Sequence, residues 1–594
     1  MMAWFQSARD SFHIGPLRIG STYAEAQSSV RTSRSPARTL TMIFATVLLA
    51  AACTPGPAGG SPSPSGSSSA PGASASPSVQ ESTTAAPPSA TDSPGGEKLG
   101  WGPGQKDLDA AAAAVSAMTV SQKAGQVLLP FYQGLDHAAQ AAAIERLHLA
   151  GSIVMADNVP GTPDGQVDTA AMGKVTADLQ KATSADGRTW PGLIAVDQEG
   201  GLVSRLRTPL TEWPTPMSYG AAGNPFLASD AGRSLAGELA GLGFNVDFAP
   251  DADVTIGPTD PTIGSRSISG NPETVGQMSV GFSQGMLAAG VLPAIKHFPG
   301  HGSVTVDSHL DLPVQPASTA QLEARDWMPF RAGIAAGVPI VMTGHIAVPA
   351  LEPGMPASVS KATYTVLRSI GFKGVAVTDA LNMEAIQKQF PGGSAAPKAL
   401  AAGADLLLMP PDVEAAHKAI VEAVGNGSLT NDRLNEAAQR VITMMVWRGR
   451  TGVPPAPGPG SSADLSRKLS AAAVTVLSGP CHGSIIQGAA TVTGGSAADR
   501  ARFAKAAASA GVTIGTGPTV SLIGFGEGPV KADVAVSLDA PWSLASSTAA
   551  TRIALYGRTP GAFDALLAVL TGKASAPGKL PVDVGSYPRG SGCL

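Results

Sequence analysis

Between about residues 105 and 450, eight short apolar runs recur, at 125–130, 150–155, 193–196, 244–248, 292–295, 340–342, 374–377 and 405–409. Most are followed by polar residues with Gly or Pro and then by an Ala-rich, helix-like stretch such as 230–242 or 272–289. Runs this short and this apolar read as buried strands. Eight strand–helix units in succession predict an α/β fold, a (β/α)8 TIM-like barrel with insertions. A doubly wound open sheet is the runner-up. In the barrel, chemistry gathers where the strands end at their C-terminal side.

The residues at those ends are unusually polar. After the third run comes Asp197-Gln-Glu-Gly-Gly201 and then Arg205; around the fourth come Asp247, Asp251, Asp253 and Arg266. The fifth run leads into Lys296, His297, His301, Asp307 and His309, a stretch holding three of the chain's nine histidines. His345 follows the sixth run and Asp379 the seventh. Convergence of so many groups on one rim predicts a pocket for a ligand with many hydroxyls. Asp379 closes an apolar strand and so is held rigidly, as a carboxylate that attacks an electrophilic carbon must be. Its bland alternative is the N-cap of a helix over 381–389. Asp307 lies two residues from His309, where a carboxylate fixes the imidazole tautomer and raises its basicity; a plain loop ion pair is the alternative. One nucleophile and one proton donor satisfy the two-step logic of a retaining glycosidase, although the second group there is usually a carboxyl.

The motifs DQEGG at 197–201, IGSRS at 263–267, KHFPGHG at 296–302, DSH at 307–309, the segment 356–381 ending in TDAL, and AGAD at 402–405 occur in this order. Together they resemble glycoside hydrolase family 3, in its NagZ-like β-N-acetylglucosaminidase branch. The resemblance implies that Asp379 is the nucleophile and His309 the acid/base, oriented by Asp307. It assigns Asp197, Arg205, Arg266, Lys296 and His297 to sugar binding. Leu202 stands where the family often has Arg, and Ile268 and Ser269 where it often has Phe-Gly; both departures bear on the subsites beside the pocket. Glucosidase-like members typically show Ser-Asp-Trp at the nucleophile, where this chain has Thr378, Asp379 and Ala380. The implied function is a retaining exo-β-N-acetylglucosaminidase acting on peptidoglycan-derived fragments. A phosphorylase or β-glucosidase of the same family is the nearest alternative, and a catalytically silent glycan-binding lipoprotein is the alternative of another class.

Around the barrel the composition changes. Arg31, Arg34 and Arg38 precede the apolar run 42–52, with Cys53 next, the pattern of an export signal ending in a lipobox-like site. The run is shorter than the roughly 20 residues a membrane span needs. The first 53 residues are therefore read as a signal region, with Cys53 as a lipidation site and the true start near Val30. Residues 54–104 are mostly Pro, Ser, Gly and Ala and cannot bury enough apolar area to offset chain entropy, so a disordered tether is expected. The expected location is the outer face of the cytoplasmic membrane, held by a lipid anchor, with plain secretion as the alternative.

The catalytic barrel is assigned to 105–450, a linker to 451–463, and a smaller α/β sandwich to 464–594. Strands are expected there at 473–477, 519–523, 534–537 and 552–556, and helices at 497–510 and 562–571. Cys481 and Cys593 both fall in this domain and either pair outside the cytoplasm or remain two thiols.

Net charge is −4 with no Lys/Arg-rich block in the body, which excludes nucleic acid as a partner. N-acetylglucosamine-containing wall glycans or muropeptides are the expected ligands, with no cofactor and a monomeric chain. The histidine cluster lacks a zinc motif and has a lysine beside it, so no metal is assigned. Residues 281–285 fit G-x-S-x-G, but a helix rather than a strand precedes Ser283 there, and a serine esterase is set aside.

Overall fold

The computed structural model describes residues 98–524, 526–528 and 531–593. The signal region, Cys53 and most of the tether lie outside the described residues. Residues 98–104, assigned to the tether from composition, instead belong to the folded body. Trp101 is buried and Leu99 packs against the main core. One indole supplies enough apolar area to hold such a short segment down. Among the described residues, no helix is long and apolar enough to cross a membrane.

Each of the eight apolar runs overlaps a strand. They are β1 (Leu128–Leu129), β2 (Gly151–Ile153), β3 (Leu193–Val196), β4 (Val246–Asp247), β5 (Leu292–Phe298), β6 (Ile340–Thr343), β7 (Val375–Thr378) and β8 (Leu407–Leu408). β2 to β7 pair in chain order, all parallel, and β1 pairs with β8. Backbone hydrogen bonds join the two groups on both sides. The Ala150 and Ile153 N–H groups donate to Leu128 and Pro130 carbonyls at 3.2 and 3.0 Å. On the other side Thr378 N–H donates to the Leu406 carbonyl at 3.0 Å. The ring closes, which makes the sheet a barrel and removes the open-sheet alternative.

Helices wrap the ring. Pro225–Gly241 and Pro272–Ala288 both start at Asn-Pro: the Asn224 and Asn271 side chains accept N–H groups of the first turn, and proline fills N1. These two helices approach closely because a Cβ on Gly232 or Gly285 would meet the partner's backbone at 2.3 or 2.0 Å. Ser283 is buried in the middle of the second helix, so it is no nucleophile elbow.

The second domain is a five-stranded sheet of β9 (Thr475–Ser478), β10 (Ala489–Gly494), β11 (Thr513–Ile523), β12 (Val534–Ser537) and β13 (Thr551–Ala554). The order is β9-β13-β12-β11-β10, with only β9 antiparallel to its neighbour. Helices Ala497–Ala510 and Pro560–Leu570 occur where expected. β10 was not expected: it is a half-exposed edge strand of small residues and never forms a continuous apolar run. Cys481 and Cys593 are joined in a disulfide.

The domain is fastened to barrel loops. Thr215 N–H and Oγ1 both donate to the Tyr556 carbonyl at 2.9 Å, and Ser269 Oγ donates to the Pro581 carbonyl at 2.6 Å. The linker is pinned as well: Gly460 N–H reaches Glu238 Oε2 at 3.3 Å and Ser462 N–H reaches Thr211 Oγ1 at 3.2 Å. These contacts brace the loops after β3 and β4, which lead to the rim.

Candidate active site

Asp197 follows β3, and the chain then forms a small hairpin of Gln198–Gly200 against Val203–Ser204. Gly200 and Gly201 turn it with φ of 95° and 57°, values that suit a residue without Cβ. The hairpin aims Glu199 inward. Its carboxylate is fully buried and receives Arg266 through both Nε (2.9 Å) and Nη2 (2.8 Å). Lys296 Nζ adds a third contact at 2.7 Å. Burial alone would raise the Glu199 pKa, but the two cations outweigh it and hold the carboxyl well below its usual range. Lys296 also reaches Asp197 Oδ1 at 3.3 Å, and Arg205 Nη2 lies 3.3 Å from Asp197 Oδ2. Burial would lower Lys296, yet Glu199 and Asp197 keep it above its ordinary value. Asp197 and Arg205 retain partial exposure and face the opening, while Glu199 is the internal anchor.

The segment after β4 supplies a second layer. Asp253 Oδ2 accepts the His297 Nδ1–H at 2.7 Å, and Asp253 Oδ1 accepts the His301 N–H at 2.5 Å. Burial pushes Asp253 up to about 7 and His297 down to about 4. His297 is therefore neutral at physiological pH, and with Nδ1 committed as donor its Nε2 is left as an acceptor. Asp251, Asp253 and His297 place potential ligand atoms within 4.8 Å of one another. Arg266 Nη2 stands only 3.6 Å from Asp251 Oδ2, however, so a cation already occupies the electrostatic role there. The trio is a hydrogen-bonded brace beside Arg266 and Lys296.

Asp379 follows β7. Its Oδ1 accepts the Ala380 N–H at 2.8 Å, and its own N–H donates to the Thr343 carbonyl at 2.8 Å. It caps no helix, because the next helix begins only at Glu384–Gln387. Burial would raise its pKa; the facing His297 and His345, the Ala380 N–H and His309 together hold it at about 2. Asp379 is thus an anion ready at any physiological pH. His345 is buried, and its Nε2–H donates to the Ala380 carbonyl at 2.9 Å, while its Nδ1 accepts from Ser358 Oγ at 2.6 Å. It fixes the peptide next to the carboxylate.

His309 Nδ1 lies 2.7 Å from Asp307 Oδ1, and the same oxygen accepts the His309 N–H at 2.9 Å. Both side chains are about 30% exposed, at 30% and 31%, so the pair lines the mouth and not the floor. The carboxylate fixes the orientation of the ring through Nδ1.

All eight residues singled out from the sequence for catalysis or sugar binding meet at one rim. Three contributors were not assigned roles there: Glu199, which links Lys296 to Arg266, and His301 and His345, which hold backbone and loop. Glu199 could have been found from its place two residues after Asp197, since alternate residues of an extended segment share a face.

A family model described as "Glycosyl hydrolase family 3 N terminal domain" matches residues 119–444. The chain is 37% identical to Beta-hexosaminidase A of Pseudoalteromonas piscicida over 45% of its own length and 46% of that protein. It is 33% identical to Beta-hexosaminidase LpqI of Mycobacterium tuberculosis over 52% of its own length and 79% of that protein. Among solved structures, a family 3 beta-N-acetylglucosaminidase from Paenibacillus sp. str. FPU-7 superimposes with a TM-score of 0.70 at 29% identity. That match covers 78% of this chain and 99% of the other. The chain thus spans about half the length of the first of these relatives, 46% of it.

Proposed function

The chain belongs to glycosyl hydrolase family 3, and from that premise we propose that it is a retaining exo-β-N-acetylglucosaminidase. The observation that carries the mechanism is a buried carboxylate, Asp379, fixed by the Ala380 N–H at the end of β7, on the same rim as a His309 ring oriented by Asp307. In the first step an Asp379 oxygen attacks the anomeric carbon, the glycosidic C–O bond breaks, and His309 Nε2–H protonates the departing oxygen. In the second, His309 takes a proton from water, the water oxygen bonds the anomeric carbon, and the ester bond to Asp379 breaks. Asp307 stabilises the imidazolium and fixes which nitrogen carries the mobile proton. Asp197, Arg205 and Lys296 meet the sugar hydroxyls; Arg266 and His297, braced by Glu199 and Asp253, shape the floor.

The substrates follow from the relatives named β-hexosaminidase: glycans with a non-reducing N-acetylglucosamine, here wall fragments met outside the cytoplasm. The Cys53 motif and the tether behind it support an enzyme held by lipid on the outer face of the cytoplasmic membrane.

The test compares turnover of an aryl N-acetylglucosaminide and an aryl glucoside. The amino sugar is expected to be strongly preferred, and Asp379→Asn to lower its turnover about 1,000-fold or more. Equal turnover by Asp379→Asn would sink the mechanism. Product analysis in phosphate buffer is expected to give the free sugar; sugar phosphate as the main product would make the enzyme a phosphorylase.

A further inference from the structure

Ser308 lies between the two members of the proton-transfer pair, and unlike them it is buried, at 1% exposure. Its Oγ lies 2.8 Å from His301 Nε2, seven residues back along the chain. His301 is itself 1% exposed, and its backbone N–H is clamped to Asp253, the carboxylate that also receives His297. The segment between Gly302 and Gln315 contains no helix or ladder strand, and a single bridge from Val314 to Ala347 holds its far end. Around the pair, the Leu310 and Asp311 N–H groups donate to the Asp307 carbonyl at 3.0 and 3.1 Å, a turn within the loop itself, and Lys388 Nζ donates to the Leu310 carbonyl at 2.8 Å; farther off, Ser303 Oγ donates to Asp326 Oδ1 at 2.7 Å.

We propose that His301 is a positioning residue for proton transfer: through Ser308 it sets Asp307 and His309 over Asp379. The inference rests on the hydrolase reading above. Burial lowers the His301 pKa to about 3, so the ring stays neutral and exchanges no proton with substrate. His301 Nδ1 has no hydrogen-bond partner among the described residues. A buried bare lone pair is tolerated better than a buried orphan N–H, so the single ring proton belongs on Nε2, donating to Ser308. The buried imidazole joins the fixed Asp253 brace to the exposed loop. Without it, the loop that carries Asp307 and His309 loses its buried side-chain bond to the segment clamped on Asp253. Misplacement of a general acid costs most when the leaving group needs the proton most.

The experiment measures kcat and KM of the full chain and of Ser308→Ala, His301→Ala and His301→Gln on two aryl N-acetylglucosaminides, one with a highly acidic phenol and one with a weakly acidic phenol. Ser308→Ala and His301→Ala are expected to lose about ten-fold in kcat on the poor leaving group beyond any loss on the good one, with KM little changed. His301→Gln, whose amide nitrogen reaches the same place as the imidazole Nε2, is expected to recover part of that loss. Ser308→Ala removes only one hydroxyl and keeps the test open if the histidine variants fold poorly. Equal losses on both substrates, or wild-type kcat in both Ser308→Ala and His301→Ala, would overturn the positioning role. A wild-type chain inactive on both glycosides would overturn the hydrolase reading and this inference with it.

Discussion

Glu199 carries no proposed chemistry, yet it holds together two cations that do. Its carboxylate is fully buried and bonds Arg266 and Lys296 at 2.7–2.9 Å. Removing one member of such a cluster leaves buried charge uncompensated, which typically costs about 3–5 kcal/mol. Glu199→Gln is therefore expected to lose stability of that order at neutral pH, read by urea unfolding. The sign of its pH dependence follows from the lowered folded-state pKa. The stabilisation is present above the ordinary value of 4.5 and is lost as pH falls through the depressed value. The gap between wild type and variant should narrow below about pH 4.5; a gap independent of pH would show that Glu199 is not held as an anion. Asp379 and the pair of Asp307 and His309 were legible as residues because each stands beside a strand end or within two positions of its partner. The role of Glu199 is not legible in its motif, because nothing local says that its partners arrive from the loop after β4 and from β5.

At the scale of elements, the stretch 281–285 shows how a pattern misleads. Gly281 and Gly285 are four residues apart on Pro272–Ala288 and so lie on one helical face. A Cβ at either would meet a backbone oxygen of the neighbouring segment, Pro225 O at 2.5 Å or Ser229 O at 2.0 Å. What reads as a nucleophile motif is a seam of small residues that lets two helices touch. Gly285→Val is expected to push Pro225–Gly241 away and to destabilise the barrel by about 2–3 kcal/mol, measured by thermal unfolding. An unchanged midpoint would mean that the seam can open at no cost. The helices on either side of this seam, expected over 230–242 and 272–289, occur at Pro225–Gly241 and Pro272–Ala288, the first starting five residues earlier than expected because its Asn-Pro start lies outside the Ala-rich stretch. β10 is not visible in the sequence, because an edge strand of Ala and Thr buries too little to mark itself.

Across the whole molecule, the disulfide from Cys481 to Cys593 closes a sequence separation of 112 residues, nearly the entire second domain. Loops this long restrict the unfolded chain strongly, and removing such a link typically costs about 2–5 kcal/mol. Cys593→Ser should lower the thermal midpoint, and reductant should lower wild type to the same value while leaving the variant unmoved. A variant that still responds to reductant would disprove the assignment. The second domain was legible as an α/β unit, but its fastening to the barrel through Tyr556 and Pro581 was not. By itself the sequence determined the succession of strand–helix units and the residues at the strand ends, since these depend on hydrophobic runs and on neighbours along the chain. Tertiary structure alone decided the clamp of Glu199 on Arg266 and Lys296, the link from His301 to Ser308, the closure of β8 on β1 and the pinned linker. Most of those contacts join groups that are far apart in sequence, and all depend on strand register and loop path, which no local pattern specifies.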